Sequence, residues 1–265
     1  MGNPFGYHGR RVVVTGGASG IGAALLDLLQ DLGAADITVI DRNPPDAKVD
    51  HFIEADLSSQ AGVDAAVAAI EGPVHVLFNN AGVAGTQPAP VVFSVNYLAV
   101  RRLTQELAVR MPAGAAVVIT SSMAGIGWQA HKDELLKLLA IDDWDEALAW
   151  LDAHPDLAAD PYALSKECTQ LYTHYAARGA SWARTRINSA CPGPVSTPLL
   201  SDFRVTMTDE LIDWSVRQGN GRAATPAEVA RILAFLGSDA AGYLNGVNIP
   251  VDAGLQAALI TGQTD

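Results

Sequence analysis

A chain of 265 residues is long enough for one large α/β domain with a substantial core. Its 17 basic and 29 acidic side chains give a formal charge of -12, with no basic cluster beyond Arg10-Arg11 and Arg101-Arg102, which argues against nucleic-acid binding. Although 49% of the residues are hydrophobic, no apolar run reaches the roughly 18 to 20 residues of a membrane span, and no signal-peptide core or myristoylation motif is found, so a cytoplasmic location is expected.

Val12-Val13-Val14 is a continuous β-branched run, the pattern of a buried parallel strand. It leads into Thr15-Gly16-Gly17-Ala18-Ser19-Gly20-Ile21-Gly22, after which Ala23, Leu25, Leu26, Leu28, Leu29 and Leu32 follow a helical pattern closed by Gly33. Strand, glycine turn and helix together form the context of a phosphate cradle. Gly16 suits the tight turn, Gly20 the close approach of a diphosphate, and Gly22 close helix-strand packing, while free helix N–H groups face the anion. A glycine-rich turn without a ligand is the alternative. Ile37 to Asp41 reads as a second strand, ending in a carboxylate nineteen residues after Gly22, where an acid that binds the ribose hydroxyls of NAD is expected. Asp41 would repel the extra phosphate of NADP, whereas Arg42 could pair with it if Asp41 turned aside.

A third unit contains Phe52-Ile53-Glu54-Ala55-Asp56-Leu57 and a helix from about Ser59 to Ile70; Asp56 either reaches an adenine amine or caps that helix. Val74 to Phe78 forms a fourth strand and runs into Asn79-Asn80-Ala81-Gly82, a turn able to pass close to a flat ligand. Ala116 to Thr120, Arg186 to Ala190 and Val247 to Val251 complete seven strands. The alternation predicts a doubly wound parallel sheet of the Rossmann type, with helices on both faces, over a single domain spanning 1–265.

Tyr162 and Lys166 stand four residues apart in a predicted helix, about one turn from each other. Leu164, Cys168, Leu171 and Tyr175 recur at core-facing intervals, which places the polar pair away from the packed face. A cation held near a phenol favours the phenolate and makes it a better base. Further on, Leu199, Leu200, Phe203, Val205, Met207, Leu211, Ile212, Trp214 and Val216 form an apolar loop and helix over about 198–220, either a lid or core, with Thr208 as N-cap. Thr225-Pro226-Ala227-Glu228 is a capping box. Cys168 and Cys191 read as buried free thiols, and the six histidines show no recurring metal spacing, so no metal is expected.

Together these segments resemble the short-chain dehydrogenase/reductase family over roughly residues 9 to 255. Thr15, Gly16, Gly20 and Gly22 match its T-G-x-x-x-G-x-G motif, Asn79 to Gly82 its N-N-A-G, Tyr162 and Lys166 its Y-x-x-x-K, and Pro192-Gly193-Pro194-Val195-Ser196-Thr197 its P-G-x-x-x-T. The resemblance implies Tyr162 as general acid/base, Lys166 as holder of the ribose and depressant of the phenol pKa, Ser122 as donor to the substrate oxygen, and Asn96 as keeper of a water relay to the lysine. It also implies an NAD site built from Gly16, Ser19, Gly20, Ile21 and Gly22, then Asp41, Arg42, Asp56 and Leu57. Asn80, Ala81 and Gly82, with Tyr162 and Lys166, and finally Pro192, Gly193, Val195 and Thr197 complete that site. Ala253 stands where the family usually has glycine.

Ser122 and Tyr162 lie forty residues apart, whereas the family usually has about a dozen between them; the helical patterns at Lys132 to Ile141 and Trp144 to Leu151 mark an insertion over about 124–160. The hydroxysteroid dehydrogenase/carbonyl reductase branch of the family is similar here, which implies a homodimer. The expected activity is NAD-dependent interconversion of a hydrophobic secondary alcohol and its ketone, with steroids and other cyclic alcohols among the candidates. An NAD-dependent epimerase or lyase and a non-enzymatic NAD sensor are the alternatives.

Overall fold

β-Branched and aliphatic runs that are apolar on both faces need cover on both sides, and a parallel sheet between two helical layers supplies it. The computed structural model describes residues 2–179 and 184–264. Its strands are β1 (Arg11–Thr15), β2 (Asp36–Asp41), β3 (His51–Glu54), β4 (Val76–Asn79), β5 (Ala116–Thr120), β6 (Arg186–Pro192) and β7 (Asn248–Val251). All pair in parallel, in the order β3-β2-β1-β4-β5-β6-β7. The chain reverses its direction of winding between β1 and β4, and a crevice opens at the strand ends there.

Alternate side chains of each strand serve opposite layers. Val12 and Val14 join Leu25, Leu26 and Leu29 of α1 (Gly20–Asp31), while Val13 joins Val63 and Val67 of α2 (Gln60–Ala69). The helix over Ala89–Ala108 consists of α3 (Ala89–Phe93), a π-helical turn at Ser94–Leu98 and α4 (Ala99–Ala108).

Between β5 and the tyrosine helix lie a 3-10 turn at Met123–Gln129, α5 (Lys132–Leu139), α6 (Trp144–Ala153) and α7 (Pro155–Ala158). The inserted helices are packed. Leu135, Leu138, Trp144, Trp150 and Leu151 are buried in the same core cluster as Leu103 and Leu164. The buried Arg101 on α4 donates to the Ile141 carbonyl and to the Asp142 carboxylate, which ties the connection between α5 and α6 to the main body.

Pro161–Ala176 forms α8, capped by Asp160 through the Ala163 N–H at 2.9 Å. After β6 come α9 (Leu199–Met207) and α10 (Asp209–Gln218), then α11 (Pro226–Gly237) with the expected capping box, and α12 (Leu255–Thr261). No helix among the described residues is long and apolar enough to cross a membrane.

Candidate active site

A cavity of about 910 Å³ follows the C-terminal edge of the sheet from Asp41 and Asp56 to Ser122, Tyr162 and Thr197. One end forms at the β1 turn. Gly16 has φ +70°, and a Cβ there would lie 2.6 Å from the Cα of Ala81; a Cβ on Gly22 would lie 1.8 Å from the Gly16 carbonyl oxygen. Only glycine lets the turn, α1 and the Asn80-Ala81 segment approach this closely. Gly22 acts through that packing and does not itself line the cavity, whereas Gly16, Ser19, Gly20 and Ile21 do. The Ser19 side chain makes no capping bond to α1, and the first turn of that helix carries no acid, so its leading N–H groups face the cavity without a protein acceptor from that residue.

Thr15 holds the facing segment. Its Oγ1 accepts from the N–H groups of Asn80 at 3.0 Å and Ala81 at 2.9 Å, while Asn80 donates to the Gly16 carbonyl at 3.0 Å and accepts from the Thr120 hydroxyl at 3.0 Å. At the end of β2, the Asp41 carboxylate accepts from the Ala18 N–H at 3.0 Å and the Asn43 N–H at 3.1 Å, which fixes a negative charge at the cavity wall beside Arg42. Asp56 and Leu57 line the same end. Asp56 is not the cap of α2; Ser59 is, through Gly62 N–H at 3.2 Å. Asp56 instead accepts from the Ser58 N–H at 2.9 Å, which holds its carboxyl below the usual range. A glycine cradle, an open helix N-terminus and an acid at the second strand end fit a dinucleotide.

At the other end, α8 is buried on almost every side. Tyr162 and Lys166 are only 7% and 5% exposed, and Tyr175, read from the sequence as core, is 55% exposed. The apolar spacing located one packed face, but the cavity wall and α9 cover the polar side as well. Phe203 of α9 lies over the tyrosine, with ring centroids 4.8 Å apart.

Burial dominates the protonation of both groups. It pushes the Tyr162 phenol up to about 12; a hydrogen bond with Ser122 offsets part of this, and the Asp160 charge adds to the rise. Burial brings the Lys166 ammonium down to about 8. The Lys166 Nζ lies 5.6 Å from the phenol ring centroid and donates to the Thr120 carbonyl at 3.1 Å. Desolvation therefore outweighs the cation at this phenol, whereas the spacing alone pointed to a lowered value.

Ser122 accepts from the Ala124 N–H at 3.1 Å, and its carbonyl accepts from Gln170 at 2.8 Å. Asn96 sits in the π-helical turn and does not line the cavity. Its Oδ1 accepts from Val83 N–H at 2.9 Å, and its Nδ2 donates to the Val83 carbonyl at 3.0 Å and to Ser165 at 3.2 Å, so it braces the segment after Gly82. Asn80, Ala81, Gly82, Pro192, Gly193, Val195 and Thr197 all face the cavity. Thr15 was legible only as the first residue of the glycine motif, and Thr120 only as a strand end; their hydrogen bonds to the Asn80-Ala81 segment add both to the frame of the site.

Leu199, Leu200, Phe203, Met207, Leu211, Ile212 and Trp214 line the mouth, whereas Val205 points outward and is 77% exposed. Arg204 clasps the two covering helices by bonding Asp209 at 2.6 Å and Asp213 at 2.9 Å. Thr208, the cap of α10, has φ +66°, a conformation a β-branched residue rarely adopts.

Comparison with known proteins gives a consistent result. Residues 10–132 match the family profile described as short chain dehydrogenase, and residues 152–256 match one described as enoyl-(acyl carrier protein) reductase. A coniferyl-alcohol dehydrogenase from Pseudomonas sp. (strain HR199) is 35% identical over 254 residues, covering 95% of this chain and 98% of its own. A 3-alpha-hydroxysteroid dehydrogenase/carbonyl reductase from Comamonas testosteroni is 30% identical, covering 94% and 97%. The crystal structure of a 3-alpha-hydroxysteroid dehydrogenase from Pseudomonas sp. B-0831, solved with NADH, superposes with a TM-score of 0.79 at 31% identity, covering 96% of this chain and 99% of that one.

Proposed function

The chain belongs to the short-chain dehydrogenase/reductase family, and we propose that within it the protein is an NAD-dependent oxidoreductase that interconverts a hydrophobic alcohol and its carbonyl form. The observation that carries this reading is one cavity with the Asp41 carboxylate at one end and Ser122 bonded to the buried Tyr162, with Lys166 beneath the phenol, at the other. Gly16, Ser19, Gly20, Ile21, Asp41, Asp56 and Leu57 would hold the adenosine and diphosphate parts. Asn80 to Gly82, Lys166, Pro192, Gly193, Val195 and Thr197 would hold the remainder. When bound, NAD supplies the hydride acceptor or donor.

The protein's own residues handle the proton. Tyr162, ionised as the phenolate, takes it from the alcohol on oxidation, and as the phenol it gives the proton back on reduction, while Ser122 donates where negative charge develops on the substrate oxygen. Lys166 adds positive charge beneath the phenol, and Asn96 keeps the Val83 segment in place. Phe203 and its apolar neighbours on α9 and α10 exclude water from the reacting groups. Asp41 selects NAD over NADP by like-charge repulsion.

Cyclic secondary alcohols, steroids included, suit the apolar mouth. The relative named for coniferyl alcohol supports a second reading, in which a ring-bearing primary alcohol fills the same space. Assembly as a dimer accompanies either reading, because α5 to α7 cover a face of the main body.

A panel of cyclic secondary and arylallylic alcohols, followed by nicotinamide absorbance with NAD⁺ and NADP⁺, tests the proposal. Turnover with NAD⁺, lowered at least about 100-fold by Tyr162→Phe, supports it. Product formation without any net absorbance change would point to an epimerase or lyase instead, and full activity of Tyr162→Phe would remove the tyrosine from its assigned role.

A further inference from the structure

Apart from the Lys166 ammonium beneath the tyrosine, the charged groups at the alcohol-binding end of the cavity are carboxylates. Asp160 and Asp202 line it, and among the charged groups lining the whole cavity the cations are Arg42 and Lys166. Arg42 stands at the β2 end, beside Asp41. Lys166 lies under the tyrosine and donates a hydrogen bond to the Thr120 carbonyl. Arg204 neighbours both Asp202 and Phe203 in sequence, but its guanidinium is taken by Asp209 and Asp213.

Asp160 is fixed in place. It caps α8 two residues before Tyr162, and its charge is felt at the phenol. Asp202 immediately precedes Phe203, whose ring covers the tyrosine, and among the described residues its carboxylate has no hydrogen bond or ion pair. Other polar residues of the cavity lining, Thr86, Gln87, Ser122, Tyr162 and Ser215 among them, carry no formal charge, and Val91, Val95, Met123, Leu199 and Leu200 add apolar surface. A carboxylate entering here would lose water, meet two like charges and find no cation apart from the buried lysine. A neutral hydroxyl or phenol meets acceptors instead.

We propose that this wall sorts substrates by charge: the protein accepts uncharged alcohols and rejects those bearing a carboxylate, with Asp160 and Asp202 as the specificity-determining residues. The inference rests on the alcohol-oxidising reading of the same site and narrows it to a substrate class. Building the wall against an unwanted partner is an effective route to selectivity, because the attractive contacts then need no change.

The test uses whichever neutral alcohol of the panel is oxidised, extended on the same skeleton as a methyl ester and as the free acid. Wild-type kcat/KM should favour the ester by at least about tenfold at low salt, and the preference should shrink in about 0.5 M NaCl, because Asp160 is exposed and its field is screened. Asp160→Asn with Asp202→Asn should bring the acid to within about threefold of the ester. Asparagine retains the capping role at 160, so the double variant should fold, and circular dichroism checks that it does. Asp202→Lys alone should raise the acid relative to the ester. Equal use of acid and ester by the wild type would overturn the proposal, as would an unchanged ratio in the folded double variant. If no neutral alcohol reduces NAD⁺, the functional reading itself fails and takes this inference with it.

Discussion

Tyr162 and Lys166 show how burial governs a pair of titratable groups. The folded-state pKa of Lys166, about 8, lies below its ordinary 10.5, so between those values the unfolded chain binds a proton that the folded chain does not. Stability contributed by this group therefore rises with pH across that window. The Tyr162 phenol, raised from 10 to about 12, acts in the opposite sense above pH 10. Urea unfolding at pH 8 and pH 9.5 separates the two, because the tyrosine stays largely protonated in both states there. The wild type should gain about 2 kcal/mol over that interval relative to Lys166→Met; parallel pH dependences of the two proteins would mean the lysine is not desolvated in the fold. Ala253 offers a second residue-scale test. Its φ of +54° places an L-residue where the family resemblance leads one to expect glycine. Ala253→Gly should stabilise the protein by about 1 kcal/mol, read as a rise in Tm of about 2 to 4 °C, and a lower Tm would show that the left-handed position is not strained. The helical spacing of the tyrosine and lysine was legible in the sequence, but their protonation was not. Desolvation arises from Phe203 and the cavity wall, groups that periodicity along α8 cannot register.

At the scale of elements, the insertion between β5 and α8 was visible through two amphipathic patterns, and Trp144, Leu148 and Leu151 in particular fell on one side of a helix. Its anchor was hidden. Arg101, an apparently ordinary half of an Arg-Arg pair, reaches forty residues along the chain to the Ile141 carbonyl, a contact without any local signature. Trp150 is buried and stacks on His154 with a centroid separation of 3.7 Å, while other insertion residues join the main core. The insertion should therefore melt with the whole domain. Trp150→Ala should lose about 3 kcal/mol in a single unfolding transition, monitored both by circular dichroism and by proteolysis within residues 124–160. Early cleavage there, with little change in the main transition, would instead mark the insertion as an independent appendage. The same reasoning explains α9 and α10: the sequence supplied an apolar segment that suited lid or core, and the structure divides it, with Phe203 turned toward the tyrosine and Val205 toward solvent.

For the whole molecule, the sheet order follows from short buried runs joined by helices, which is why six of the seven strands could be located to within one or two residues, while the run Phe52 to Leu57 overshoots β3, which ends at Glu54. Parallel strands buried on both faces announce themselves as continuous apolar segments, and right-handed crossovers restrict how they can be joined. What the pattern could not supply is the network across β1, β4 and β5, where Thr15, Asn80 and Thr120 bond to one another's segments across 40 to 65 positions. Because Asp41 lies at the end of β2 and Ser122 just beyond β5, three strand spacings or about 14 Å of sheet separate the two halves of the site, and a ligand that spans them must stabilise the fold as a whole. At about 100 times its dissociation constant, such a ligand adds about 2.7 kcal/mol. NAD⁺ at that level should raise Tm clearly, NADP⁺ at the same concentration much less. Asp41→Ala should narrow the difference by removing the charge that disfavours the additional phosphate and leaving Arg42 as the charged side chain beside it. Equal thermal shifts from the two cofactors in the wild type would mean that Arg42, and not Asp41, governs the ribose end of the cavity.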